Sequence, residues 1–225
     1  YASMKVLCVA DKRMNEIFPH MQAAAKRFGP GTIVCGEQYD DPSFEILTEY
    51  FATVEKNGPE GRVVPEFLAD YPDAEILITF YSPFGGKALD LLPGAKMIGS
   101  IRGGYQHINV EEATKRGIAV FNVPGRNAHS VSDFTIALLL CEAREVCRNS
   151  ASIMAGKWLD PSFKTHYQPD LNEKTVGLVG LGAIGRLVAA KLKNGWDMRV
   201  LGYDPFVPPE QAKEMGVELV GLEDL

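Results

Sequence analysis

Short apolar runs rich in β-branched residues alternate along this chain with segments of helical periodicity. Lys5-Val6-Leu7-Cys8-Val9-Ala10 reads as a buried strand ending at Asp11. Ile17 to Phe28 predicts a helix stopped by Gly29-Pro30-Gly31, and Thr32-Ile33-Val34-Cys35 predicts a second strand. Ser43 is placed to cap a helix through Ile46, Leu47, Tyr50 and Phe51, which Gly58-Pro59 ends. Val63-Val64 reads as a brief third strand, and Pro65 opens a short helix to Tyr71. Glu75-Ile76-Leu77-Ile78-Thr79-Phe80 and Lys96-Met97-Ile98-Gly99-Ser100-Ile101 are further strands, separated by a short helix over Leu89–Leu92. Glu111 to Arg116 is helical with Gly117 as its stop, and Ile118-Ala119-Val120-Phe121 is again a strand. Strands alternating with helices require crossover connections. They predict an α/β fold whose parallel sheet is covered on both faces.

The pattern changes at Pro124-Gly125-Arg126-Asn127-Ala128-His129, which reads as a seam between domains. Ser130 and Asp133 have capping-box spacing for a helix through Phe134, Ile136, Leu138, Leu139, Leu140 and Cys141. That helix is apolar around most of its circumference until Glu142. It must be covered on several sides, by both domains or by a second subunit, and the mixture is expected: an interdomain spine that also contributes to a dimer.

Beyond the seam, the apolar run Thr175–Val179 leads into Gly180-Leu181-Gly182-Ala183-Ile184-Gly185-Arg186. A helical stretch from Leu187 to Leu192 follows, and then Arg199–Tyr203, an apolar run closing on Asp204. Each part has a mechanical reason. Gly180 permits a tight turn, Gly182 lets a backbone approach a pyrophosphate, and Gly185 lets helix and strand pack closely. The helix N-terminus offers free N–H groups to phosphates. Asp204 is placed to accept hydrogen bonds from ribose hydroxyls, and its charge repels a 2′-phosphate, so NAD is expected over NADP.

Composition narrows the function classes. A net charge of −6 with no basic block argues against a nucleic-acid partner. No run approaches the length of a membrane span, and no charged-apolar-small leader is visible, so a cytoplasmic protein is expected. Cys8, Cys35, Cys141 and Cys147 lack C-x-x-C spacing and read as reduced core residues. No His/Cys cluster suggests a metal site. Gly85-Gly86-Lys87-Ala88 lacks the remaining residues of a P-loop and reads as a turn before a short helix. Tyr1-Ala2-Ser3 ahead of Met4 reads as an upstream remnant.

Taken in order, Ile101-Arg102-Gly103-Gly104, Asn122-Val123-Pro124-Gly125-Arg126-Asn127-Ala128, the glycine turn and Tyr203-Asp204-Pro205 resemble the D-isomer-specific 2-hydroxyacid dehydrogenases. The phosphoglycerate-dehydrogenase-like branch is the nearest in pattern. Motifs carry the resemblance from about Ile76 to Leu225; before that it is architectural. It implies a flavodoxin-like substrate domain over 1–123. Over 124–225 it implies an interdomain helix and the first, adenine-binding half of a Rossmann NAD-binding domain, with a cleft between the two domains. It implies reversible hydride transfer between NAD and C2 of a small D-2-hydroxy acid, by a homodimer in the full-length parent.

Residue roles follow from the same resemblance. Arg102, Gly103 and Gly104 form the substrate loop, whose small residues let N–H groups reach a carboxylate at a strand's carboxyl end. Tyr105 departs from the family's usual small or non-aromatic residue, which puts the pocket shape in question. Asn127 matches a position near the nicotinamide end of the cofactor; the other reading is a turn residue at a helix entry. Arg186 resembles a pyrophosphate contact, against a plain solvated helix residue. With Gly180, Gly182, Ala183, Ile184, Gly185 and Asp204 they make up the expected cofactor set. His107 lacks a carboxylate partner at useful spacing and is expected at the surface or in packing; His129 is expected to be structural. The family's catalytic Arg, Glu and His follow the ribose-binding acid and are expected beyond Leu225. The chain is therefore expected to be a fragment or truncated product, inert alone, with no catalytic residue of its own. A non-catalytic dinucleotide-binding sensor or regulator is the alternative.

Overall fold

The structure, a computed structural model, describes residues 4–11, 18–28, 33–35, 38–39, 44–61, 64–158 and 170–225. The expected stops and caps at Gly29-Pro30-Gly31 and Ser43, together with Tyr1-Ala2-Ser3, Ile17, Thr32, Val63 and His166, lie outside the described residues. The chain divides into two compact units, 1–124 and 125–225.

The first unit is built on a parallel sheet. Its strands are β1 (Lys5–Asp11), β2 (Ile33–Cys35), β3 (Gln38–Tyr39), β4 (Ile76–Thr79), β5 (Met97–Ser100) and β6 (Ala119–Phe121). The order is β2-β1-β4-β5-β6, with β3 beside β1. The register Val6↔Ile76, Leu7↔Leu77, Cys8↔Ile78 stacks like with like. Period-two alternation then sends Leu7, Val9, Leu77 and Ile98 to one face, where Leu68, Phe84, Leu89 and Leu92 cover them. Val6 and Cys8 go to the opposite face with Ile76, Ile78 and Ile101. Both faces are buried, which is why β1 reads as a continuous apolar run. Each fully buried Leu or Ile contributes roughly 1.5–3 kcal/mol.

Helices α1 (Phe18–Ala25), α2 (Phe44–Asn57), α3 (Gly86–Asp90) and α4 (Val110–Lys115) make the crossovers. Helix α3 begins earlier than the expected Leu89, so Gly86 is its first residue and not part of a preceding turn. A distant carboxylate explains this start: Glu60 Oε1 accepts the Gly86 N–H at 2.7 Å and the Asn109 amide at 2.7 Å. Asn109 in turn caps α4 by accepting the Glu112 N–H. Residues 66–70 form a 3₁₀ turn after Pro65, and Val64 lies outside any strand.

The second unit contains α5 (Ala128–Ala143), α6 (Val146–Met154), β7 (Thr175–Val179), α7 (Ala183–Trp196), β8 (Arg199–Tyr203), α8 (Pro209–Glu214) and β9 (Glu218–Leu219). Its parallel sheet has the order β7-β8-β9. Leu181, Ala189, Val200, Ala212 and Val217 form one core, and Ile136 packs with Val188, Leu192 and Met198 in another. Helix α5 starts at Ala128, two residues before the expected cap at Ser130. The capping box is not formed: the Asp133 carboxylate pairs with Lys191 of α7. Lys191 also donates to Ser132 Oγ at 2.6 Å, joining the two helices. Cys147 is exposed on α6, against the expectation of a core cysteine, while Cys8 is buried. No helix among the described residues is long and apolar enough to cross a membrane.

Candidate functional site

In the second unit, β7 runs directly into the three glycines, and each meets a different physical demand. Gly180 has φ +90°, in the left-handed region that favours glycine, and its N–H donates to the Tyr203 carbonyl at 2.8 Å. Gly182 occupies the N-cap position of α7, where an added Cβ would meet nothing within 4 Å. Gly185 is the tight contact: a Cβ there would lie 2.1 Å from the Gly180 carbonyl oxygen. The turn is thus anchored at its ends and open at its middle. Leu181 is fully buried beneath it.

Asp204, at the carboxyl end of β8, holds the turn from the side. Its Oδ2 accepts the Leu181 N–H at 2.8 Å and its Oδ1 accepts the Phe206 N–H at 2.9 Å. The Leu181 bond first, then that from Phe206, keeps the carboxyl below its ordinary value. Asp204 is therefore ionised and already oriented. Arg186, an exposed residue, donates from Nε to the Leu181 carbonyl at 3.0 Å and so braces the same turn.

A concavity of about 420 Å³ lies over the turn, lined by Gly125, Asn127, Gly180, Gly182, Ala183, Ile184 and Gly185 among others. Asn127 stands at the N-cap position of α5 but makes no side-chain capping bond. The structure thus brings Asn127, the three glycines, Ala183 and Ile184 around one concavity, with Asp204 and Arg186 attached to it through Leu181. The leading N–H groups of a helix have no partners inside it, and here they begin beside open ground. This donor set, with a carboxylate at the next strand's end, suits a dinucleotide: diphosphate at the helix start, ribose at the acid.

In the first unit, Arg102, Gly103 and Gly104 form a loop directly after β5. The Arg102 N–H donates to Ser100 Oγ at 3.3 Å, the Asn122 amide donates to the Gly103 carbonyl at 2.6 Å, and Ser100 Oγ donates to the Gly104 carbonyl at 3.4 Å. The Arg102 guanidinium carbon lies 3.9 Å from the centroid of the Tyr81 ring, and its Nη2 is 3.6 Å from Glu55 Oε1. It is packed, not loose. His107 is fully buried, with its ring stacked on Tyr81 at 5.5 Å and Nε2 3.3 Å from Ser100 Oγ. Burial, then the Arg102 charge, pushes it down to about 4, so it is neutral.

Sequence reasoning passed over Tyr81, Ser82, Ser100 and Glu55. Their one sequence signal is position, since Tyr81, Ser82 and Ser100 lie at or just past the carboxyl ends of adjacent parallel strands.

Known proteins resemble this chain in sequence and in fold. The profile of the D-isomer specific 2-hydroxyacid dehydrogenase NAD binding domain matches residues 136–225. D-3-phosphoglycerate dehydrogenase of Mycobacterium leprae is 35% identical over 173 residues, covering 76% of this chain and 32% of that protein. The Archaeoglobus fulgidus enzyme of the same name is 35% identical over 191 residues, covering 82% and 35%. Among solved structures, D-lactate dehydrogenase from Aquifex aeolicus, complexed with NAD and lactic acid, matches with a TM-score of 0.71. That match is at 25% identity, over 97% of this chain and 56% of that one. The chain spans about a third of the length of the curated relatives it matches. With a family NAD-binding profile over residues 136–225 and relatives 35% identical over 76% and 82% of its length, the chain belongs to the D-isomer-specific 2-hydroxyacid dehydrogenases, on their phosphoglycerate-dehydrogenase-like branch.

Proposed function

We propose that residues 1–225 supply the substrate loop and the adenine-binding half of the cofactor site to an NAD-dependent oxidoreductase acting on the CH–OH group of a small D-2-hydroxy acid. The observation that carries this is the turn at Gly182, open above and clamped from the side by Asp204. NAD, when bound, supplies the hydride acceptor. The helix start after Gly182 takes the diphosphate, Asp204 takes the ribose hydroxyls, and Arg186 and Asn127 flank the same ground. Arg102 and the N–H groups of Gly103 and Gly104 grip the acid's carboxylate, which makes unit 1–124 the substrate domain.

Proton transfer and orientation of the reacting carbon need an Arg, a Glu and a His from sequence following the ribose-binding acid. Residues 205–225 contain no Arg and no His. This stretch alone is accordingly proposed to bind and not to turn over. Phe134 and Leu138 on α5, both more than half exposed, support a homodimer of the whole protein.

Titrating NAD into the chain by calorimetry tests the reading. Saturable binding, with NADP at least about tenfold weaker because Asp204 repels its 2′-phosphate, is expected. No association at millimolar NAD would overturn it.

A further inference from the structure

Helices α5 and α6 meet at a short junction, Arg144-Glu145, and each brings a cysteine to it. Cys141 lies in the last turn of α5, and Cys147 is the second residue of α6. The junction is tight. The Arg144 N–H donates to the Leu140 carbonyl at 3.0 Å and closes α5. Glu145 is buried at φ 52°, in the left-handed region; its N–H donates to the Glu142 carbonyl at 3.2 Å. The Glu145 carbonyl accepts the Asn149 N–H at 2.9 Å, which opens α6.

Two pairs of side chains cross this junction next to one another. Glu142 and Arg148 form an ion pair at 2.6 Å. Cys141 and Cys147 each stand one residue earlier, with the same spacing in the chain. Cys141 is half-buried and Cys147 is exposed. Burial first, then the coulombic effect and the side-chain hydrogen bond of Cys147, pushes the Cys141 thiol up. The two thiols are therefore neighbours, and side chains that meet in this way satisfy the first geometric demand of a disulfide. Among the described residues no group of three His, Cys, Asp or Glu could hold a metal ion, which leaves the pair its thiol chemistry. An accessible cysteine beside a second, resolving one is the arrangement of a redox-responsive site.

We infer that Cys141 and Cys147 are a reversible dithiol–disulfide site, closed by a low-molecular-weight disulfide, that ties the end of α5 to the start of α6. Cys147, the accessible member, reacts first. It yields its proton to solvent, and its sulfur attacks one sulfur of the external disulfide, forming a mixed disulfide and expelling one thiolate. Cys141 then yields its proton to solvent, and its sulfur attacks Cys147 Sγ. That step breaks the mixed disulfide, expels the second thiolate and leaves the Cys141–Cys147 bond. The cysteine pair has lost two electrons and two protons, and the external disulfide has been reduced to two thiols. Neither step involves the glycine turn or Asp204, so the inference stands apart from the dinucleotide reading.

Oxidised glutathione, incubated with the 225-residue chain and with Cys141→Ser and Cys147→Ser, tests it. The parent is expected to release both halves of the reagent, retain neither, and lose two of its four thiols. Its tryptic digest should hold residues 127–144 linked to residues 145–148, and dithiothreitol should separate them. Cys141→Ser should stop at the mixed disulfide on Cys147, releasing one half of the reagent and keeping the other. Cys147→Ser should react at Cys141 at least about tenfold more slowly than the parent reacts at Cys147, because its remaining thiol is half-buried. A misfolded variant would not mimic this split, since an opened chain exposes its thiols alike. A parent that keeps glutathione on Cys147 without closing, joins Cys147 to a second chain, or links either cysteine to Cys8 or Cys35 overturns the site. So does equal reactivity of the two serine variants.

Discussion

Asp204 Oδ2 accepts the Leu181 N–H at 2.8 Å, so the acid expected to hold a ribose also holds the glycine turn in shape. A carboxylate has about four acceptor directions; the Leu181 and Phe206 N–H groups occupy two of them, and the Val207 N–H also bears on the group. The remainder are free to receive hydroxyl groups. One residue thus couples the turn proposed to take the diphosphate to the carboxylate proposed to take the sugar, through a single buried leucine.

Asp204→Ala should therefore weaken NAD by more than the loss of a ribose contact, about tenfold or beyond, because the turn loses its lateral clamp. Discrimination against NADP should narrow in the same variant. Parallel titrations with both cofactors check this, and unchanged affinity for both would remove Asp204 from the site. Because the folded-state carboxyl lies below its ordinary value of 3.8, the clamp contributes stability that is present above that pH and lost as pH falls through the lowered value. The melting difference between the parent chain and Asp204→Asn should accordingly be present at pH 7 and vanish in strong acid.

The glycines separate stability from binding. Gly185→Ala puts a methyl 2.1 Å from a backbone oxygen that cannot rotate away, so the turn must move. Such overpacking destabilises by about 1–3 kcal/mol. Gly182→Ala meets nothing within 4 Å and should melt close to the parent, yet its methyl occupies the open ground over the turn. Thermal melts paired with NAD titration should show Gly185→Ala losing both stability and binding and Gly182→Ala losing binding alone. Equal NAD affinity in Gly182→Ala would mean the diphosphate lies elsewhere.

What the sequence disclosed, and what it hid, divides along the range of the interactions. The glycine turn, its acid and the alternation of strands and helices were legible because each is local: a period, a turn residue, a motif within one βαβ unit. The start of α3 was misplaced because Glu60, which satisfies Gly86 and Asn109, comes from 26 and 49 residues away. The Ser130–Asp133 capping box failed for a similar reason, since Lys191 competes for the aspartate from 58 residues away. Helix α6 was missed because the break before it falls at Glu145. This non-glycine residue is held at φ 52° and is buried, with Arg148 at 3.7 Å. Of the two roles expected for His107, surface or packing, the structure shows packing, and what the sequence hid is the partners, since Tyr81 and Ser100 reach it from two other segments.

Glu60 gives a test of such a long-range cap. Glu60→Ala removes the acceptor from both Gly86 and Asn109 and should destabilise the first unit by about 1 kcal/mol, the net worth of a partly exposed hydrogen bond. Glu60→Gln keeps an acceptor oxygen and should recover most of it. Urea unfolding of the three proteins decides; an Ala variant as stable as the parent would show that water replaces the carboxylate at no loss.

His107 sets the pH response of the first unit. Burial first, then the charge of Arg102, lowers it from an ordinary 6.5 to about 4. An unfolded chain takes up this proton near 6.5, whereas the folded one refuses it until about 4. Between those values the unfolded state binds more protons, so stability rises with pH across that window. The contribution is fully present above 6.5 and is lost progressively toward 4. A shift of that size is worth about 3 kcal/mol. His107→Phe keeps a flat ring against Tyr81 and removes the titration, so its stability should be flatter over the same interval. Carboxylates also titrate near the lower end, and the readout is therefore the difference between the two proteins, from urea unfolding at pH 4.5 and 7.5. Parallel losses in both would show that the imidazole gains its proton without unfolding and that its burial does not oppose the charge.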